Sequence, residues 1–152
     1  MILKGIFSAD GREMRFDMTR REARERVFEL LFESEFRSEE SFEEIFYSSA
    51  ENREIENDDY IKKAFFSVME KRSEIDEVIG KHSKGWKTSR LTNVSRSILR
   101  LCVYEMMFEK DIPYNVSINE AVELSKKFDD EKARPFVNGV LHSVKSSLPE
   151  KE

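Results

Sequence analysis

The sequence predicts an all-α fold, and three observations carry the prediction. Apolar residues recur at helical spacing along most of the chain. No stretch alternates apolar and polar residues as a half-buried strand would. The 152 residues include only five Gly and three Pro, too few for a chain built on tight turns.

The elements follow in order. Residues 1–17 show no periodicity and read as a flexible N-terminal extension, with Met14 and Met18 as alternative starts. Thr19 is placed to cap a first helix whose inner face is Ala23, Val27, Leu30, Leu31 and Ser34, with Phe28 and Phe32 beside it. A second helix starts at Ser38 or Ser41 and buries Phe42, Ile45 and Phe46. Across 57–82, Tyr60, Ile61, Ala64, Phe65, Val68, Met69, Ile75, Val78 and Ile79 keep helical spacing, and Ser73 is a candidate start for a second piece. The polar run "HSKGWKTSRLTN" is the clearest internal break; it divides a helical half of about 18–83 from one of about 86–147, with Trp86 plugging the junction.

Thr92 caps the next helix, which from Ile98 to Phe108 is apolar nearly all round, as a central buried helix must be. Pro113 ends the connection, and "SINE" at 117–120 has the form of a capping box pairing Ser117 with Glu120. The helix it opens presents Ile118, Ala121, Val122 and Ser125 inward. Pro135 fits the first turn of a last helix, whose inner face is Phe136, Val137, Val140, Leu141 and Val144; residues 148–152 form a tail. These elements make about seven helices.

Composition narrows the function. No apolar run reaches the ~18 residues of a membrane span, and "MILKGIF" is too short for a signal-peptide core; the expected location is the cytoplasm. Cys102 is the single cysteine and lies in an apolar run, which excludes an internal disulfide and reads as a buried, inert thiol. His82 and His142 are the only histidines, and no spacing suits a metal or cofactor. No phosphate-binding glycine loop and no nucleophile elbow occur. Glu105, inside the apolar helix, is either a tuned acid or a buried carboxylate satisfied by an arginine or an amide, the second being favoured. Enzymatic activity is not expected.

Net charge is −5, so any contact with a polyanion must be local. Acids crowd residues 38–59, whereas Arg12, Arg15, Arg20, Arg21, Arg24 and Arg26 crowd 12–26. Arg20, Arg21 and Arg24 either grip RNA phosphates or form a solvated face paired with Glu22 and Glu25. Lys126, Lys127, Lys132 and Arg134 lie beside Phe128 and Phe136, a mixture that holds single-stranded bases by stacking and phosphates by charge. Within "PFVNGVL", Gly139 interrupts a helix face at a cost of about 1 kcal/mol relative to Ala. Tight helix packing is the favoured reason for Gly139, and contact with RNA or orientation of the preceding loop for Asn138.

Residues 86–144 resemble the NusB family of bacterial transcription antitermination factors. The resemblance is carried by Trp86, Arg90-Leu91, "SRSILRLCVYEMMFEKDIPYNVSINEAVELSKKF" and "PFVNGVL", in that order and spacing. The opening "RREARERVFELLFESEF" resembles the family's arginine-rich first helix, and coverage runs over roughly 19–145. It implies two small helical bundles packed together, with no catalysis. It also implies binding of boxA-type single-stranded RNA jointly with ribosomal protein S10 (NusE), within the antitermination complex of RNA polymerase on ribosomal RNA operons. By position it places RNA contacts on Arg20, Arg21, Arg24, Lys132, Arg134, Phe136 and Asn138, and the S10 side at Phe32. Three positions depart from the family pattern: Glu22 interrupts the arginine run, Asp129 replaces a Gly after Phe128, and Pro135 replaces a polar or basic residue. A related reading is an RNA-binding accessory or protein-interaction module like that attached to ribosomal RNA cytosine methyltransferases. Both a monomer and a homodimer are open.

Overall fold

The computed structural model describes residues 6–7, 13–14, 18–53, 55, 58–84 and 91–151. Among the described residues are seven helices: α1 (Arg20–Ser34), α2 (Phe42–Arg53), α3 (Asp59–Glu70), α4 (Arg72–Lys81), α5 (Asn93–Phe108), α6 (Tyr114–Phe128) and α7 (Ala133–Ser147). Two short strands, β1 (Ile6–Phe7) and β2 (Glu13–Met14), pair antiparallel with Ile6 opposite Met14 and Phe7 opposite Glu13. Strands of two residues leave no alternation for sequence reading to find. The roles expected of Gly85, Trp86 and Arg90 lie outside the described residues.

Side-chain caps set most of the helix starts. Thr19 accepts a bond from the Glu22 amide, Asp58 from Ile61 and Thr92 from Ser95, and the Glu44 amide donates to Ser41 Oγ. Of the two starts considered for α2, Ser41 is therefore the capping one. The break between α3 and α4 falls at Lys71, two residues before Ser73. No Gly or Pro stands there, and the Lys71 amide still donates to Ser67.

The larger correction concerns α6. Pro113, in extended conformation, takes the N-cap position, so the helix begins at Tyr114. Ser117 is thereby a full turn inside the helix, and no capping box forms. Its hydroxyl donates instead to Glu105 Oε1 at 2.7 Å, and Glu120 turns to arginines on α1.

The axis of the fold is α5, buried from Ser95 to Met106 and packed against α1, α3, α4, α6 and α7. Leu99 of α5 and Phe46, Phe65, Ile61, Ile75, Ile79 and Leu141 from other helices are fully enclosed in the core, each contributing ~1.5–3 kcal/mol through burial. Cys102 lies in this core, and burial pushes its thiol well above the ordinary value, which makes it inert. At one end of α5, Arg96 and Arg100 both donate to Glu35 Oε1 (2.7 and 2.9 Å), and Arg100 forks onto Asp76 at 2.8 Å twice. That cluster ties the end of α1 to α4. At the other end, the Lys151 ammonium donates to the carbonyls of Glu105, Glu109 and Ile112 at 3.2, 2.9 and 2.6 Å, so the last residues fold back onto the helix terminus.

Candidate functional site

Helix α1 carries two chemically different surfaces. Its first turn is cationic, and its second half is aromatic. Arg20, the first helical residue, is exposed and lays its guanidinium over the Tyr60 ring, 4.2 Å from the ring centroid. Arg21 is exposed over 63% of its side chain and forks onto Glu120 of α6, Nε to Oε1 at 3.1 Å and Nη2 to Oε2 at 2.8 Å. Arg24 differs from both. Its side chain is 6% exposed, and its Nε and Nη2 donate to Glu105 at 2.7 and 3.2 Å.

Glu105 is the centre of this buried polar group. It accepts from Arg24, from Ser117 and from the Tyr60 hydroxyl, so every bond that a carboxylate buried to 1% exposure needs is made. This is the satisfied carboxylate anticipated from the sequence. Burial by itself would lower the Arg24 pKa, but the bonds and charge of Glu105 outweigh it and hold the guanidinium above its ordinary value. Burial, reinforced by Glu105, pushes the Tyr60 hydroxyl up. Arg24 therefore joins α1 to α5 within the core, while Arg20 and Arg21 reach the surface. The basic patch is smaller than a count of arginines suggests, and Arg26 is also engaged, 2.8 Å from Glu29.

Helix α6 lies beside α1 in the same direction. Lys127 donates to both oxygens of Glu25 at 2.9 Å, and Phe128 stacks on Phe28 with centroids 4.7 Å apart. Between the two helices, Arg21, Arg24, Lys126 and Lys127 face Glu25, Glu120 and Glu123 across a cavity of about 290 Å³. A phosphate arriving there has to displace a carboxylate from Arg21. The hydrogen bond from Arg21 holds the Glu120 carboxyl below its ordinary value. For Glu35 burial pushes upward, but the Arg96 bond and the Arg100 charge prevail and its pKa is also lowered. Both ion pairs are therefore fully formed above the ordinary carboxylate pKa of 4.5, and their contribution is lost as pH falls through the lower folded values. Urea unfolding at pH 7 and pH 3 is expected to show lower stability at pH 3, with a smaller loss in Glu35→Gln than in the unsubstituted protein.

The turn after α6 leads to the second cationic group. Ser95 Oγ donates to Asp129 at 2.6 Å, and Asp130 Oδ1 accepts from the Lys132 amide at 3.1 Å; these aspartates build the turn. Lys132 takes the N-cap position of α7, Pro135 lies in its first turn, and Lys132 is exposed. Arg134 is half-buried, and its Nε is enclosed with no hydrogen-bond partner among the described residues. Phe136 packs partly on the core, whereas Pro135, Asn138, Gly139 and His142 form the solvent face of α7. The expectation that Gly139 permits tight helix packing is thus wrong: a Cβ there would meet nothing within 4 Å. No internal contact offsets the helix cost of this glycine, and Gly139→Ala is expected to stabilise the free protein by about 0.5–1 kcal/mol, measured by urea unfolding.

The aromatic surface on α1 had only one residue assigned from sequence, Phe32. In the structure Phe32 is one wall of a cavity of about 510 Å³ formed with Phe28, Glu29, Glu33, Phe36, Val94 and Phe128. Phe36 is 66% exposed and meets Phe32 edge-on at 5.3 Å. Phe28, Phe32 and Phe36 recur every four residues, a stripe visible in the sequence; Val94 and Phe128 complete the groove from distant segments. One exposed aromatic, Phe36, beside an apolar cavity is the kind of surface that suits a protein partner; the two carboxylates at its edge are already paired, Glu29 with Arg26 and Glu33 with Arg37. No group of three or more His, Cys, Asp or Glu suited to a metal occurs among the described residues. Nor is any helix among them long and apolar enough to cross a membrane.

Comparison with known proteins gives one consistent result. The family model described as "NusB family" matches residues 21–146. The chain is 43% identical over 131 residues to the transcription antitermination protein NusB of Bacillus pumilus, covering 86% of this chain and 98% of that protein. It is 42% identical over 140 residues to the same-named protein of Clostridium botulinum strain Kyoto, covering 82% and 97%. Among solved structures, T. maritima NusB superposes with a TM-score of 0.75 at 36% identity, covering 86% of this chain and 93% of that one. A chain in the crystal structure of antitermination factors NusB and NusE in complex with dsRNA gives 0.75 and 36%, covering 85% and 97%.

Proposed function

This chain belongs to the NusB family, and we propose that it is a cytoplasmic, non-catalytic transcription antitermination factor. It binds boxA-type single-stranded RNA together with ribosomal protein S10 and joins the elongating RNA polymerase complex on ribosomal RNA operons. The observation that carries this reading is the division of α1: cationic side chains leave its first turn and an aromatic groove opens along its second half, so one rigid helix serves RNA and a protein partner together.

Arg20, Arg21, Lys132 and Arg134 take phosphates. Phe136 stacks on a base and Asn138 bonds a base edge, while Gly139 keeps the adjoining helix surface flat. Arg24 serves by holding the first turn of α1 to the core. Phe32, with Phe28, Phe36 and Phe128, receives an apolar anchor of S10. With a net charge of −5 and few free cations, binding to RNA alone is modest, and S10 tightens it by adding surface.

The reading is tested in transcription through a terminator placed behind a boxA element, in a bacterial extract depleted of its own NusB-family protein. Adding this protein is expected to raise read-through on that template and not on one with a scrambled element. Equal read-through on both contradicts the proposal.

A further inference from the structure

Tyr60, we infer, is a positioning residue for Arg20, holding that guanidinium in place before RNA arrives; the inference rests on the phosphate contact proposed above for Arg20. Tyr60 comes from α3, far in sequence from every segment to which RNA contacts were assigned.

An arginine at the first position of a helix normally samples many rotamers, and fixing it on binding costs up to ~2 kcal/mol of side-chain entropy. Here the guanidinium carbon of Arg20 lies 4.2 Å from the Tyr60 ring centroid. The ring itself cannot swing. Tyr60 is 9% exposed, and its hydroxyl is bonded to Glu105, which Arg24 and Ser117 hold in turn. Arg20 therefore rests on a platform anchored in the core.

The chemistry of the platform matters as much as its rigidity. Arg21 is ordered by a carboxylate, which fixes the side chain and neutralises it as well. A ring attracts the cation through its quadrupole and leaves the charge intact. A ring contact also uses none of the guanidinium's N–H groups in a bond to a carboxylate, which leaves them able to fork onto phosphate oxygens. Among the described residues no carboxylate pairs with Arg20. Arg20 is thus both ordered and undischarged, a combination that Arg21 and Arg24 lack.

Anisotropy titrations of a boxA-type RNA across a potassium chloride series test this with Arg20→Ala, Arg20→Lys, Tyr60→Phe, Tyr60→Leu and the Arg20→Ala/Tyr60→Leu double variant, all in the full chain. Tyr60→Phe keeps the buried ring but loses the hydroxyl bond to Glu105, and is expected to weaken RNA binding less than Tyr60→Leu does. Tyr60→Leu is expected to weaken binding about five-fold and to add nothing once Arg20 is Ala. Equal weakening by Tyr60→Leu in both backgrounds, or no weakening where Arg20→Ala does weaken, overturns the role of Tyr60. An Arg20→Ala variant that binds normally removes the phosphate contact itself, and the inference with it. Should Tyr60→Leu fail to fold, Arg20→Lys decides: it keeps the charge without the flat stacking group. Weaker binding at an unchanged salt slope is then expected, and unchanged affinity refutes the inference.

Discussion

Replacing Glu105 with Ala is expected to lower the stability of the protein by about 3–5 kcal/mol, the usual cost of leaving a buried charge without its partner. The stranded charge is Arg24, whose side chain is 6% exposed and which retains a 3.5 Å contact to Glu120 and a distant one, 6.0 Å, to the Tyr60 ring. The hydroxyls of Tyr60 and Ser117 lose their acceptor in the same step, and each unmet buried donor adds to the loss. Glu105→Gln keeps the shape and one acceptor oxygen and is expected to fall between the two. Arg24→Ala should be as damaging as Glu105→Ala, because it strands the carboxylate. Urea unfolding at pH 7 measures all three; a loss below about 1 kcal/mol for Glu105→Ala would show that the site relaxes or admits water, contrary to the burial described. The same series separates fold from the proposed function: a change at Arg24 is expected to act on RNA binding only through the stability and placement of α1.

The joint replacement of Arg20 and Arg21 by Ala is expected to act the other way, on RNA and hardly on stability. Each phosphate contact to a single strand contributes ~0.7 to the slope of log affinity against log salt. Losing both reduces that slope by up to ~1.4 and weakens binding about tenfold or more at moderate salt. Arg20 contributes the larger share, because Arg21 must first leave Glu120. Lys81, an exposed residue of α4 paired loosely with Glu77 at 3.4 Å, provides the charge control. Lys81→Ala should leave the slope unchanged, and an equal effect from Lys81→Ala would mean that net charge alone sets RNA affinity.

Much of the architecture was legible in the sequence because local rules decide it. Thr19, Ser41 and Thr92 cap helices where their hydroxyl meets a free amide, and the apolar-all-round pattern of 98–108 marks the central helix. Glu105 could be read as a satisfied carboxylate from its apolar surroundings, although its partners could not be named. Those partners lie 81, 45 and 12 residues away, and only the packed helices bring them together.

The misreadings have the same origin. Ser117 and Glu120 fit a capping box as a pattern, but Pro113 had already started the helix, which freed both side chains for tertiary bonds. Gly139 looked like a packing device, yet its helix turns it to solvent. Arg20, Arg21 and Arg24 are one run in sequence and three environments in space: a ring, an exposed carboxylate pair and the core. Helical periodicity separates Arg24 from Arg21, but nothing local announces that Tyr60 waits beneath Arg20.

In the proposed function, RNA and a protein partner bind together at α1 and the start of α7. Fluorescence anisotropy of a labelled boxA-type RNA and a scrambled control, each with and without purified S10, tests this most directly. A preference for the boxA sequence that grows when S10 is added is the predicted result. Equal, weak binding of both RNAs, indifferent to S10, would contradict it.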